Sequence, residues 1–387
     1  MQNFIYNIPT IVYFGKGQIE AIGEIAKKTG KKALLIYGGG SIKANGIYDD
    51  VVRLLGQEGI PFAELSGVEP NPKISLVREG VKICREEGVD MLIPIGGGSV
   101  IDTAKAIAGA VSYDGDPWDV VCDASLIKDP LPIIVVLTIA ATGSEMDYAA
   151  VISNAETKDK VELDHEGLIP KYAIMDPTYT QTVSHYQTIA GIADIMSHVF
   201  EQYFLECGDT YLQDQFMEAI LRTVMKYGKI AAEHPDDYDA RANLMWAQSW
   251  AINGMVSCGK SGAWVCHPIE HEISGFYDVT HGLALAIITP NWMRKILDDT
   301  IVNEFVSYGV NVLGIDPDQD PFAIAREAID KTEDYFHELG IPARLRDIGV
   351  PDESCFEIMA KKALGNINGA YNPLTVEDIV DILKASF

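Results

Sequence analysis

Five side chains in the second half of this 387-residue chain have the types and spacing of a metal site. Asp194 and His198 lie four residues apart in a run of helical period, so both project from one face, among the apolar residues Ile195, Val199 and Phe200. His267 and His271 repeat the four-residue spacing. His281 follows in Thr280-His281-Gly282, after Gly275, which is expected to end the preceding helix. An aspartate with three histidines is a borderline-hard donor set that suits Zn²⁺ or Fe²⁺, and four protein ligands with room for one more make a Lewis-acid centre. His267 to His271 also reads H-x-x-E-H, the inverted metallohydrolase motif in which Glu270 would activate water. Pro268 argues against that reading, because it suits a first helical turn better than the middle of a long ligand helix. His165 and His185 have no partners in the sequence and are read as structural.

A second group of residues could bind phosphate. Gly-Gly-Gly-Ser occurs twice, at Gly38, Gly39, Gly40 and Ser41 and again at Gly96, Gly97, Gly98 and Ser99, each time directly after a β-rich run. The second opens into a helical pattern over Val100 to Ala110, whose free N–H groups and dipole favour an anion. Neither matches G-x-G-x-x-G or a P-loop, so an ordinary Rossmann domain and a P-loop enzyme both lose ground. Asp102 and Lys105 follow the second segment, and Thr138 with Thr142-Gly143-Ser144-Glu145 follows a third β-rich run. Such loops gather at the carboxyl ends of parallel strands, where open α/β sheets bind ligands. The simpler alternative for Asp102 and Lys105 is a solvated i, i+3 pair.

The elements that must hold these residues change in character along the chain. Strands are expected at Ala33 to Tyr37, Met91 to Ile95, Ile133 to Thr138 and Tyr172 to Met175. Helices are expected between them at Ile19 to Lys28, Ile47 to Glu58, Ile74 to Glu87 and Ile101 to Ala110. From about Ser184 helical patterns dominate, at Gln187 to Leu205, Gln213 to Lys229, Asp239 to Met255 and Ala323 to Leu339. The polar, breaker-containing stretch around Asp176-Pro177-Thr178 sets the expected boundary, with an α/β domain over 1–182 and an all-α domain over 183–387.

The formal net charge of −26 would repel nucleic acid and anionic membranes. The start MQNFIYNIPTIVYFGKG lacks the pattern of a signal peptide, and no run reaches the length of a membrane span, so a cytoplasmic protein is expected. Cys84, Cys122, Cys207, Cys258, Cys266 and Cys355 are scattered and read as reduced thiols. Cys266, beside the histidines, is read as a small buried side chain before a soft ligand.

Taken together, the run Gly96 to Lys105, the turn Ala141 to Glu145, the segment Asp194 to Tyr203 and the segment His267 to Asn291 resemble the iron-containing (group III) alcohol dehydrogenases. Within that family the similarity is to the NADPH-dependent butanol dehydrogenase and aldehyde reductase branch. The resemblance runs end to end and implies a dehydroquinate synthase-like fold: an α/β dinucleotide-binding domain followed by an all-α metal-binding domain. It implies Asp194, His198, His267 and His281 as ligands of Fe²⁺ or Zn²⁺, with His271 beside the metal as a proton relay. It implies Gly96 to Ser99 at the pyrophosphate, Asp102, Thr138, Thr142 and Lys160 along ribose and nicotinamide, and a homodimer. Relatives that prefer NADH carry an acidic residue after the first nucleotide-binding strand, where this chain has Gly39 with Ser41 and Lys43 near, so NADP(H) is favoured over NAD(H). Asp147 stands where many relatives have asparagine, which is expected to add negative charge near the pocket. The expected reaction is hydride transfer between NADP(H) and small aliphatic aldehydes or primary alcohols. A polyol dehydrogenase, a dehydroquinate-synthase-like lyase and a binding protein without turnover are the rival readings.

Overall fold

The computed structural model describes residues 1–205, 209–367 and 369–387. Cys207 lies outside the described residues, and the five described cysteines are free thiols. The chain forms two compact units, one of Asn7–Ser184 with Pro235–Ser249, the other of Met1–Tyr6, His185–His234 and Trp250–Phe387.

In the first unit, six strands form a fully parallel sheet. In chain order the strands are β1 (Ile11–Phe14), β2 (Ala33–Tyr37), β3 (Phe62–Leu65), β4 (Met91–Gly96), β5 (Ile134–Leu137), β6 (Ala149–Asn154), β7 (Asp159–Asp164) and β8 (Tyr172–Met175). The sheet runs β1-β8-β5-β4-β2-β3, and β6 and β7 make a separate antiparallel pair. Every residue of β2, β4 and β5 is buried, because helices cover both faces. Leu35, Tyr37, Ile93 and Ile95 pack with helices Ile22–Thr29 and Ile47–Gln57 on one face. Leu34, Ile36, Leu92 and Val135 pack with helices Ile74–Glu87 and Gly98–Ala110 on the other.

This alternation explains where a ligand can sit. The helix after β2 lies on one face and the helix after β4 on the opposite face, although β2 and β4 are neighbours, pairing Tyr37 with Ile95. The chain therefore diverges at the carboxyl ends of these two strands, and an open crevice of this kind is where α/β sheets bind. The four expected strands are present. The others were harder to read: β1 and β3 have four residues each and are only partly buried, so neither shows a long apolar run.

The second unit is helical. Helices His185–Tyr203, Tyr211–Glu233 and Pro321–Glu338 match the expected ones within a few residues, and Cys266–Tyr277, His281–Ile296, Val302–Asn311, Phe356–Asn366 and Val376–Ala385 complete it. Helix Tyr238–Ile252 belongs to the first unit through Ser249. One expectation is corrected. Gly275 does not end its helix, which runs on to Tyr277, and the left-handed residue that stops it is Asp278, at φ 54°. Aspartate tolerates that conformation better than most residues with a Cβ, so the stop signal was there without a glycine.

Candidate metal and nucleotide sites

In the helical unit, three histidines converge on one carboxylate. Helix His185–Tyr203 is buried along nearly its whole length and carries Asp194 and His198, one turn apart. Helix Cys266–Tyr277 carries His267 and His271, with Pro268 in its first turn, and His281 opens the helix that runs to Ile296. The helices of Asp194 and His281 approach so closely that a Cβ on Gly282 would stand 2.0 Å from the carbonyl oxygen of Ala190. The glycine after His281 is thus what lets that imidazole reach Asp194.

From Asp194 Oδ1, Nε2 of His198 is 3.5 Å away, Nε2 of His267 3.9 Å and Nε2 of His281 3.5 Å. These separations are too long for hydrogen bonds, and Asp194 Oδ1 is buried with no hydrogen-bond partner. An orphaned carboxylate oxygen ringed by imidazole nitrogens fits a divalent cation at their centre. Asp194, His267 and His281 offer donor atoms all within 4.8 Å of one another. His198 lies against them with its ring stacked on His267, centroids 4.9 Å apart. Burial holds His198 down at about 3, against the pull of Asp194, so it is neutral and its ring nitrogens are free to ligate.

Two glutamates aim these ligands. Glu201 accepts the backbone N–H groups of Val265 and His267, both at 2.7 Å, and faces Nδ1 of His267 at 3.1 Å. Burial raises Glu201 to about 7 against those N–H groups. Glu270 pairs with Nδ1 of His281 and accepts from Ser274 Oγ. A carboxylate on Nδ1 fixes the tautomer and turns Nε2 inward. Glu270 therefore stands behind a histidine and does not face a water nucleophile, and the H-x-x-E-H hydrolase reading fails on that point. Glu201 was missed in the sequence, although it lies seven residues after Asp194 on the same buried face, and a buried charge without a partner is a signal in itself.

His271 is buried, its ring 6.3 Å from that of His267 and 5.8 Å from that of His281, and it stays outside the group around Asp194. Trp264 lies beside the cluster, 4.8 Å from the His267 ring. Cys266 is a buried thiol pushed well above its ordinary pKa by burial and contacted by Thr289, not a soft ligand. His165 accepts the N–H of Gly167 and caps a short turn, a structural task.

In the α/β unit, the residues expected at a nucleotide gather at the carboxyl ends of β2, β4 and β5. Gly38 to Ser41 follow β2, Gly97 to Ser99 follow β4, and the N–H of Thr138 donates to Gly96 O at 3.0 Å. Helix Gly98–Ala110 starts after Gly97, and no side chain caps its first amides, which leaves them to an anion. Thr142 lies against Gly98, and Asp102 accepts from Ser144 Oγ at 2.7 Å and from the N–H of Val151 at 3.1 Å. Burial pushes Asp102 up to about 6 in spite of Lys105 and Ser144. Lys160, on β7, is buried and in register with Ser153.

One alternative falls here and one expectation about charge is corrected. Lys105 is no solvated partner of Asp102. It is fully buried, and its ammonium is bonded to the Asp147 carboxylate and to Ala149 O at 2.7 Å. Asp147 accordingly adds no bare negative charge, because Lys105 neutralises it. The sequence also gave no sign of the brace on the Thr142 turn. Gln248 accepts the N–H of Ala141 and donates to Glu145, and Ser249 donates to Glu145 as well, from more than 100 residues downstream.

The second cluster at this end surrounds Lys43. Its ammonium lies 3.7 Å from Glu64 Oε2 and over the rings of Tyr37 and Tyr48, at 4.9 and 4.4 Å from their centroids. Both tyrosine hydroxyls donate to Glu64, that of Tyr48 at 2.7 Å. Burial raises Glu64, but these hydroxyls and Lys43 outweigh it and hold the carboxyl below its ordinary value.

Comparison with known proteins finds relatives along the whole chain. Residues 9–177 match the family described as iron-containing alcohol dehydrogenase, and residues 188–387 match its C-terminal family. The chain is 55% identical over 390 residues to NADH-dependent butanol dehydrogenase A of Clostridium acetobutylicum, covering 100% of both. It is 37% identical over 366 residues to the NADPH-dependent aldehyde reductase YqhD of Escherichia coli, covering 94% of this chain and 93% of that one. The crystal structure of NADH-dependent butanol dehydrogenase A from Thermotoga maritima superposes with a TM-score of 0.94 at 38% identity, covering 100% of this chain and 99% of the other. Buried imidazoles around a carboxylate, glycine loops at a sheet switch point and these relatives lead to one conclusion: the chain belongs to the iron-containing alcohol dehydrogenases, oxidoreductases that use a nicotinamide nucleotide and a divalent metal.

Proposed function

We propose that the chain reduces small aliphatic aldehydes and oxidises the matching primary alcohols, with butanal and butanol as the representative pair, and that it favours NADP(H) over NAD(H). Residues 1–182 are then the dinucleotide-binding domain and 183–387 the metal-binding domain. The observation that carries this reading is the buried Asp194 oxygen, without a hydrogen bond, faced by three imidazole Nε2 atoms.

Asp194, His198, His267 and His281 hold Fe²⁺ or Zn²⁺ in this reading. When bound, the ion supplies Lewis acidity toward the carbonyl oxygen and the nicotinamide nucleotide supplies the hydride. The protein's own groups do the rest. Glu201 and Glu270 keep Nε2 of His267 and His281 aimed inward. His271, buried beside His267 and His281, delivers the proton that the product oxygen needs. Trp264, Met255 and Phe276 set the length of substrate accepted. Gly96 to Ser99 receive the pyrophosphate, Gly38 to Ser41 the adenosine ribose, and Asp102, Thr138, Thr142 and Lys160 the remaining ribose and nicotinamide. The preference for NADP(H) is supported by the absence of a carboxylate at position 39 and by Lys43 nearby. A cytoplasmic homodimer is supported by the free thiols and by the exposed edge strand β1, where Ile11 is 51% exposed.

The test follows nicotinamide absorbance while the protein, loaded with Zn²⁺ or Fe²⁺, meets butanal with NADPH or NADH. Metal-dependent oxidation, faster with NADPH, is expected; no oxidation under any combination overturns the reading. Asp194→Ala and His267→Ala should lose bound metal and activity together, and an active, metal-free variant of either sinks the ligand assignment. His271→Ala should slow turnover with metal content intact.

A further inference from the structure

We propose that Glu64 sets the balance between NADPH and NADH by competing with a 2′-phosphate for the Lys43 ammonium. This rests on the reading of Gly38 to Ser41 as the site of the adenosine ribose.

The argument starts from space. A Cβ on Gly39 or Gly40 would meet nothing within 4 Å, and neither residue has a positive φ, so neither the packing nor the backbone conformation requires glycine there. Room is left for a ligand, and Lys43 is the cation next to it, its backbone N–H bonded to Gly40 O at 3.1 Å. That cation is already engaged. Glu64 lies 3.7 Å away, and Tyr37 and Tyr48 hold the Glu64 carboxylate in position by donating to it while their rings flank the ammonium. The two rings meet edge to face with centroids 5.8 Å apart, so the pair of tyrosines is itself a packed frame.

A 2′-phosphate arriving here has to share the Lys43 ammonium with Glu64, which leaves it less of that charge. NADH, with a 2′-hydroxyl, asks nothing of Lys43. Glu64 therefore weakens selection for NADPH without placing a carboxylate in the Gly39 loop itself. The Lys43 and Glu64 side chains are 48% and 36% exposed, so solvent screens the pair and the effect is one of balance, not exclusion.

The test measures kcat/KM for NADPH and for NADH, with dissociation constants from the fluorescence of each reduced nucleotide, on the full chain. Glu64→Gln removes the charge and keeps an acceptor oxygen for one tyrosine, while the hydroxyl of the other, facing the amide NH2, turns to accept. It should raise the NADPH to NADH ratio about fivefold, the span of an exposed ion pair. Lys43→Ala should lower that ratio about tenfold, as expected for one charge-assisted contact to phosphate. In the Lys43→Ala background, Glu64→Gln should change the ratio less than about twofold, because Glu64 acts through Lys43. Glu64→Asp, which shortens the reach and keeps the charge, should raise the ratio by a smaller factor and serves if the glutamine variant folds poorly. An unmoved ratio in Glu64→Gln, with the Lys43 effect present, overturns the role of Glu64 and leaves the nucleotide reading standing. An equal Glu64 effect with and without Lys43 replaces competition by direct repulsion and also overturns it. A ratio that neither residue moves removes the adenosine end from this loop altogether.

Discussion

The two Gly-Gly-Gly-Ser segments are the same four residues at the ends of two neighbouring strands, and their glycines meet opposite surroundings. At the second, a Cβ on Gly96 would lie 2.8 Å from Cβ of Val100, one on Gly97 2.2 Å from Ile139, and one on Gly98 2.4 Å from Thr142. These glycines let the strand, the helix and the Thr142 turn close on one another. At the first, Gly39 and Gly40 have empty space where a Cβ would go. Packing does not call for glycine at either position. The protein's own packing demands glycine at 96 to 98 and leaves 39 and 40 open, a distinction that no reading of the tetrapeptide can make.

The sharpest way to break this contrast is Gly96→Ala. Val100 sits in the first turn of the helix Gly98–Ala110 and its Cβ is fixed by the backbone, so no rotamer moves it away, and a loss of roughly 3 kcal/mol is expected from such overpacking. Thermal denaturation without nucleotide reads it, and an unchanged Tm would remove Gly96 from the core.

The brace behind the second segment predicts a pH dependence. Burial raises Glu145 to about 7 despite its bond from Ser249. The folded chain thus holds this proton more tightly than the unfolded one, whose glutamate titrates near 4.5. Stability from this group is full below that value and falls as the pH rises toward 7, by on the order of 2 kcal/mol. Glu145→Gln should flatten the Tm profile across that window; a profile that keeps its slope assigns the effect elsewhere.

Gly39→Asp tests the open loop. With nothing within 4 Å it should leave Tm within about 0.5 kcal/mol of stability, yet shift the NADPH to NADH ratio about tenfold toward NADH by repelling the 2′-phosphate. A large fall in Tm would mean that the loop is packed after all. The smallest effect belongs to Asp102, raised to about 6. As the pH rises through that value the carboxyl ionises and becomes a stronger acceptor, so NADP⁺ should bind about threefold more tightly. Asp102→Asn should abolish the inflection in a binding titration.

The amino-acid order by itself determined much of this protein. The fully buried strands β2, β4 and β5 were legible because a sheet covered on both faces needs continuous apolar runs, whereas β1 and β3 are short, partly exposed edge strands that need none. Asp194 and His198, and likewise His267 and His271, were legible because four residues is one helical turn, and polar side chains on a buried face need a purpose. Periodicity reports what happens within one element. Only the tertiary structure decided which imidazoles share Asp194 Oδ1, that Glu201 and Glu270 stand behind them, that Lys105 answers Asp147 and that Glu64 holds Lys43. Each of these depends on two elements meeting at a set distance, as the helices at Gly282 and Ala190 do, and side-chain packing fixes that distance with residues far apart in the chain.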